Sequence, residues 1–226
     1  MKRTFRAALF DLDGTLIDTE GQYTTFWAEI GCEMLPNIPD FAFRIKGTTL
    51  TQMFATYFPE PEKQAIVKQR LDVFEAGMRY SFYPGALDFI QNIRANGVKC
   101  AIITSSNALK MEQVYKQLPE LQTLFDRILT AEDFTASKPD PQCYRLGAEV
   151  FGLKPEECVV FEDAFTGLAA GMASGAYTIG LATGNPPESI RQLCHTVWTD
   201  WHDRTYGEVA DLLSSSAIEQ MLVYSG

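Results

Sequence analysis

Histidine is scarce in this chain, with only His195 and His202, both late in the sequence. Acid/base chemistry through imidazole therefore has few candidates, and surface or core filling is the expected role of both. Cys32, Cys100, Cys143, Cys158 and Cys194 are odd in number, widely spaced and never in a C-x-x-C pair. That pattern argues against a disulfide framework or a zinc knuckle and leaves small core residues. No apolar run approaches the roughly 20 residues of a membrane span, and the first residues lack a signal peptide's apolar stretch, so a cytoplasmic protein is expected. Positive charge is also short: 19 Lys and Arg stand against 29 Asp and Glu, a formal charge of −10 without a basic cluster. This speaks against nucleic-acid and anionic-membrane partners. A phosphate ester could still be held, but only by locally placed cations: a metal, a lysine or helix N-termini. A monomer is the default expectation.

What is present is an ordinary globular composition, 46% apolar and 21% charged over 226 residues, enough for one core and a small second unit. The most informative stretch is Phe10-Asp11-Leu12-Asp13-Gly14-Thr15-Leu16. It follows an apolar run from Ala7 that reads as a buried strand ending in two acids. Side chains alternate along a strand, so Asp11 and Asp13 face the same side and Leu12 the other. Two carboxylates in one small volume need a cation between them or a shared proton, which leaves metal binding and acid/base work both open. Gly14 allows the chain to turn out of the sheet.

Residues 18 to 82 read as helices. One is capped by Asp18 or Thr19 and runs to about Ile30. A second carries Leu50, Met53, Phe54 and Tyr57, and a third spans about 60 to 80 with a stripe of Ile66, Leu71, Phe74 and Met78. From Tyr83-Pro84-Gly85 onward, helices alternate with short β-branched runs at 98–104, 127–130, 158–161, 177–181 and 196–198. That alternation predicts a parallel α/β sheet. The strand at 6–11 must join it, because a lone strand among helices is unstable. The expected organisation is a catalytic core of residues 1–17 plus 84–226 and a helical insertion of residues 18–83, joined by two adjacent crossings that form a hinge.

In open α/β sheets ligands sit at the carboxyl ends of strands. Four such ends combine here. After Asp11 and Asp13 comes Thr104-Ser105-Ser106-Asn107, which offers hydroxyls and N–H groups to phosphate or simply caps a helix. Lys138, ahead of Pro139 and Pro141, is a point cation for phosphate or carboxylates, or a surface lysine. Glu162-Asp163 ends another strand; Asp163 either caps the next helix or joins Asp11 around a hard divalent ion.

Asp11-x-Asp13-Gly14-Thr15, Thr104, Lys138-Pro139 and Glu162-Asp163, in that order, resemble the four motifs of the haloacid dehalogenase-like superfamily, and the insertion resembles its small helical cap. The resemblance implies a Rossmann-like parallel sheet with an inserted α-helical cap domain and an aspartyl-phosphate mechanism. It makes Asp11 the nucleophile and Asp13 the general acid/base, with Thr104 and Lys138 on the phosphoryl oxygens. It places Mg2+ on Asp11, Asp163 and the backbone carbonyl of Asp13, supported by Glu162. Ser105 and Lys46 are further candidate substrate contacts, the latter within Arg44-Ile45-Lys46-Gly47, which is similar to β-phosphoglucomutase and its phosphatase relatives. That mutase pattern has a histidine where Tyr23 stands and a phosphate-gripping arginine where Leu50 stands. Leucine cannot grip a second phosphate, so hydrolysis of a small sugar or polyol phosphate is expected. Sugar-phosphate mutase is the alternative, and a catalytically silent binding module on the same fold is a third reading, which intact motifs disfavour.

Overall fold

The computed structural model describes residues 4–45, 48 and 50–223, with side chains to residue 215. Its organising element is β1 (Ala7–Phe10), four apolar residues without solvent exposure. It is paired in parallel on both sides, with β2 (Lys99–Ile103) and β4 (Cys158–Glu162). β3 (Arg127–Leu129) extends the sheet beyond β2, and β5 (Tyr177–Leu181) and β6 (Thr196–Trp198) extend it beyond β4. The order is 3-2-1-4-5-6 and every pairing is parallel. This is the doubly wound, Rossmann-like arrangement, in which a crevice opens where the winding reverses, between β1 and β4.

Strand alternation divides the core into two layers. Ala8, Phe10, Ile102 and Phe161 pack on one face with α5 (Ala86–Ala95), α6 (Ala108–Gln117) and α11 (Tyr206–Val223). Phe10 and Phe161 stack at 4.8 Å between ring centroids, with Phe89 and Trp201 against them. Ala7, Leu9, Ala101 and Val160 pack on the other face with α8 (Gln142–Glu149) and α9 (Phe165–Ser174).

Between β1 and α5 run α1 (Glu20–Met34), α2 (Phe41–Arg44), α3 (Leu50–Tyr57) and α4 (Pro61–Gly77). They bury a cluster of their own, including Phe26, Ile30, Phe41, Phe58, Val67 and Leu71. The entering and leaving chains are hydrogen-bonded to one another, Asp18 N to Ser81 O and Tyr83 N to Leu16 O, both at 2.9 Å. The expected stripe on the third helix needs correcting: Ile66 is 50% exposed and Val67 faces inward. Met78 lies beyond the end of α4, buried against the sheet core. Three short helices, α2, α7 (Leu121–Leu124) and α10 (Pro187–Ile190), were not expected. Among the described residues no helix is long and apolar enough to cross a membrane.

Asp126 ties β3 to β2. Its carboxylate accepts from Cys100 N at 2.9 Å, Lys99 Nζ at 3.0 Å and Arg94 Nη1 at 3.1 Å. Partial burial favours the neutral acid, but these donors outweigh it and hold the carboxyl below its ordinary value. A depressed folded-state pKa gives stability that is present above the unfolded value of about 3.9 and is lost as pH falls through the folded one. Asp126→Asn is therefore expected to cost about 1–2 kcal/mol in urea denaturation at pH 7 and pH 5. The difference should close as pH is lowered from about 4; a gap independent of pH would contradict this.

Candidate active site

Asp11 follows β1 directly, its N–H bonded to Phe161 O at 3.0 Å, so it lies beside the end of β4 where Glu162 and Asp163 emerge. Leu12 is buried in the sheet core, while Asp11 and Asp13 line one cavity, as alternation requires. Gly14 has φ +79° and no room for a side chain, since a Cβ would land on the Asp163 carboxylate. Thr15 Oγ1 donates to Asp163 Oδ1 at 2.8 Å, and Trp201 Nε1 donates to Thr15 O at 2.9 Å. The loop after β5 closes this corner: Asn185 Nδ2 donates to Asp163 O at 3.1 Å, and the Thr183 hydroxyl donates to Gly14 O. Asp163 does not cap α9; Ala164 holds that position without a side-chain cap.

Lys138 sits between two carboxylates. Its Nζ is 2.6 Å from Asp11 Oδ1 and 2.7 Å from Glu162 Oε1, and it also donates to Ile103 O at 3.3 Å. Glu162 has no freedom left. Tyr144 OH donates to its Oε1 at 3.1 Å and Ala164 N to its Oε2 at 2.9 Å. Gly167 makes the space, because a Cβ there would fall on the Glu162 carboxylate. Asp11, Glu162, Asp163 and Lys138 are all buried. Burial alone would lower the pKa of the Lys138 ammonium, but the two acids outweigh it and hold it well above its ordinary value. One lysine cannot neutralise three acids. Burial, then Glu162 and Asp13, push the Asp11 carboxyl up to about 8 against the pull of Lys138. Burial, with Glu162 and Asp11 beside it, raises Asp163 well above the carboxylate range. Asp11, Glu162 and Asp163 each offer an oxygen within 4.8 Å of the others. An all-oxygen donor set with uncompensated negative charge is what a hard divalent cation needs.

Asp13 has separate partners. Ser106 Oγ donates to its Oδ2 at 2.7 Å and Lys110 Nζ to its Oδ1 at 2.6 Å. Burial would raise this carboxyl, yet Lys110 and these hydrogen bonds bring it below its ordinary value. Asp11 and Asp13 are thus pushed in opposite directions by their surroundings. Thr104 is buried and its Oγ1 accepts from Ser106 N at 3.0 Å, leaving its hydroxyl proton to donate; Ser105 is exposed at the cavity rim. Asn107 caps α6 through Lys110 N at 2.9 Å, so the helix-cap reading of that residue holds. Lys46 lies outside the described residues. The cavity, about 480 Å³, is roofed by α1, α3 and α4, with Tyr23, Trp27 and Leu50 in its lining. Neither histidine lines it. His195 Nδ1 accepts from Thr178 N at 3.0 Å, and His202 is exposed beside Asp200.

Lys110 and Tyr144 complete the site and had no motif to announce them; Thr15 and Ser106 lie within the motif stretches, but no sequence pattern gives their bonds to Asp163 and Asp13. Lys110 sits in an amphipathic helix with Lys116, and nothing in that pattern tells a buried lysine from a solvated one. Tyr144 falls on the apolar stripe of α8 and reads as core filler.

A family model described as haloacid dehalogenase-like hydrolase matches residues 5–175, more than half of the chain. The chain belongs to the haloacid dehalogenase-like hydrolases. Among curated proteins it is similar to hexitol phosphatase A of Escherichia coli (strain K12), 30% identical over 179 residues, 76% of this chain and 81% of that one. It is also similar to validoxylamine A 7'-phosphate phosphatase of Streptomyces hygroscopicus subsp. limoneus, 27% identical over 206 residues, 83% and 91% of the two chains. SUPPRESSOR OF QUENCHING 1 of Arabidopsis thaliana is 28% identical over 189 residues, but the match spans only 18% of that protein's length. In structure, a family IA, variant 3 hydrolase from Entamoeba histolytica matches with TM-score 0.82 at 22% identity over 92% of this chain and 99% of that one. A putative β-phosphoglucomutase from Bacteroides vulgatus matches with TM-score 0.76 at 23% identity over 95% and 90%. These two show the shared fold of this hydrolase family.

If Lys138 offsets the Asp11 charge, Lys138→Met is expected to cost about 3–5 kcal/mol in urea denaturation at pH 8. Adding Asp11→Asn should recover part of the loss. A double-mutant cycle with no coupling would contradict the bracket.

Proposed function

We propose that this hydrolase is a Mg2+-dependent phosphomonoesterase acting through an aspartyl phosphate on Asp11, with residues 18–83 as a cap domain over the substrate. The observation that carries the reading is the buried Asp11–Lys138–Glu162–Asp163 cluster at the floor of a cavity, beside an Asp13 held by different partners. The donor set fits Mg2+. Asp11, Asp163 and the backbone carbonyl of Asp13 would hold it, while Glu162, its oxygens engaged by Lys138, Tyr144 and Ala164 N, supports from behind. The ion would offset phosphoryl charge as the transition state forms.

The chain's own residues then divide the work. An Asp11 oxygen attacks phosphorus as the ester P–O bond breaks. The negative phosphoryl group arriving beside Asp13 would offset Lys110 and let the carboxyl take up a proton from solvent, which it gives to the leaving oxygen; it later takes one from the water that frees the phosphate. Thr104, Ser105 and Lys138 hold phosphoryl oxygens. The buried walls and the roof exclude bulk water.

The roof favours a single phosphate on a neutral, hydroxylated leaving group. Among the described residues its lining carries Glu20, Asp72 and Glu75 against one cation, Lys68, whose Nζ is 2.7 Å from Asp72 Oδ1. Leu50 lines the cavity where the mutase pattern has an arginine. A second phosphate finds little welcome there, so water is the acceptor. The names of the curated relatives, a hexitol phosphatase and a validoxylamine A 7'-phosphate phosphatase, support a sugar or polyol phosphate.

Two measurements test this. Mg2+-dependent phosphate release from p-nitrophenyl phosphate should fall about 1000-fold or more in Asp11→Asn, a barrier increase of roughly 4 kcal/mol; persistent activity would sink the mechanism. Efficient conversion of β-glucose 1-phosphate to glucose 6-phosphate would show a mutase instead. Because burial and its acidic neighbours push the Asp11 carboxyl up to about 8, a cation must compete there with a proton, and apparent Mg2+ affinity should rise between pH 6 and 8 by up to about tenfold per unit. Affinity independent of pH would contradict that assignment.

A further inference from the structure

Asp13 is joined to the roof by a buried polar chain that the four motifs do not include. Lys110, on α6, is 4% exposed at its side chain, and its ammonium reaches both Asp13 Oδ1 and the hydroxyl of Tyr23, each at 2.6 Å. Tyr23, on α1, passes the contact on: its hydroxyl donates to Glu75 Oε1, on α4, at 2.8 Å. The tyrosine is boxed in by Phe74, 5.6 Å away between ring centroids. The Glu75 backbone is fixed in turn, since Tyr80 OH donates to Glu75 O at 2.9 Å. At the far end of α6, Gln117 Nε2 donates to Met78 O at 2.8 Å and Tyr80 N donates to Gln117 Oε1 at 3.0 Å. One core helix therefore grips both the acid after β1 and the segment where the helical insertion returns to the core.

We propose that Lys110 is a positioning residue for Asp13, and that Tyr23 and Glu75 make its grip depend on the seating of the roof. A short carboxylate side chain has two torsions, and a proton donor that is turned away from the leaving oxygen gives nothing to it. Ser106 fixes one Asp13 oxygen and Lys110 the other. Lys110 is fixed in turn because its ammonium has a second partner, Tyr23, that belongs to the roof. Removing the lysine leaves one oxygen untethered. Removing only the tyrosine hydroxyl leaves the ion pair but cuts its tie to α1 and α4. The inference rests on the phosphatase reading and on Asp13 as its proton donor. In that step the Asp11–phosphorus bond forms, the ester P–O bond breaks and the Asp13 proton ends on the leaving oxygen.

Leaving-group dependence separates positioning from mere structural support. A nitrophenolate leaves without help, whereas a sugar or polyol alkoxide needs the proton. kcat/KM reports the first chemical step for both. The wild type, Lys110→Met, Lys110→Arg and Tyr23→Phe are compared on p-nitrophenyl phosphate and on whichever of a panel of sugar and polyol phosphates the wild type hydrolyses fastest. In Lys110→Met, kcat/KM for the alkyl phosphate should fall about 100-fold, the low end of general-acid effects, with at most a few-fold loss on the aryl ester. Lys110→Arg should recover part of the alkyl activity. Tyr23→Phe should shift the alkyl-to-aryl ratio in the same direction by a smaller factor. Equal losses on both substrates, or none, would overturn the positioning role while leaving the phosphatase reading intact. An unshifted ratio in Tyr23→Phe would overturn the dependence on the roof. A wild type that hydrolyses no phosphate ester in Mg2+ would sink the underlying reading first.

Discussion

Three buried carboxylates, two of them bonded to one buried lysine, set the terms for the rest of the molecule. Burying an ion costs several kcal/mol, and a pair repays that only with good geometry and extra hydrogen bonds. Lys138 supplies part of the repayment to Asp11 and Glu162; Tyr144 OH, Ala164 N and Thr15 Oγ1 supply the rest to Glu162 and Asp163. Glycines at 14 and 167 give the acids room that any side chain would take. The aromatic layer of Phe10, Phe89, Phe161 and Trp201 beneath the strand ends makes a stiff floor, and the Trp201 indole N–H is itself bonded to the Thr15 carbonyl. A charge imbalance remains after all this. That remainder would favour a bound cation, and it is built into the winding, because the crevice between β1 and β4 is where the acids of two strands meet.

The two acids after β1 are only one residue apart from being neighbours, yet they live in different electrostatic surroundings. Asp11 faces the crowded side, with Glu162 and Asp163, and its carboxyl is pushed up. Asp13 faces α6, where a serine and a lysine serve it alone, and its carboxyl is brought down. A spacing of two along a strand places both in the cavity; the elements on either side of β1 then give them different surroundings. The roof adds a third influence through Tyr23, which reaches Asp13 by way of Lys110.

Much of this was legible in the sequence. The sheet strands were readable because short β-branched runs bounded by glycine and proline have few other uses, and their order placed the motifs at the carboxyl ends. Asp11, Asp13, Lys138 and Asp163 stood out because each follows a strand in a recognisable pattern. Lys110 and Tyr144 did not, since a helix position's depth depends on what packs over it; Thr15 and Ser106 lay within the motif stretches, but their bonds to Asp163 and Asp13 depend on the closed fold. The stripe on α4 was misread for a related reason: Ile66 and Val67 are adjacent and equally apolar, and only the packing of that helix selects Val67. The two crossings were predicted side by side, but their hydrogen bonds, which link residues more than 60 positions apart in sequence, are a property of the closed fold.

Everything argued for the site turns on Asp11 taking the phosphoryl group before water does. The stereochemical course at phosphorus tests that directly, using a substrate whose phosphate is made chiral with oxygen isotopes and sulfur, hydrolysed in isotopically labelled water. Two successive in-line transfers, first to Asp11 and then to water, predict retention of configuration. Inversion would mean a single direct attack by water and would contradict the account.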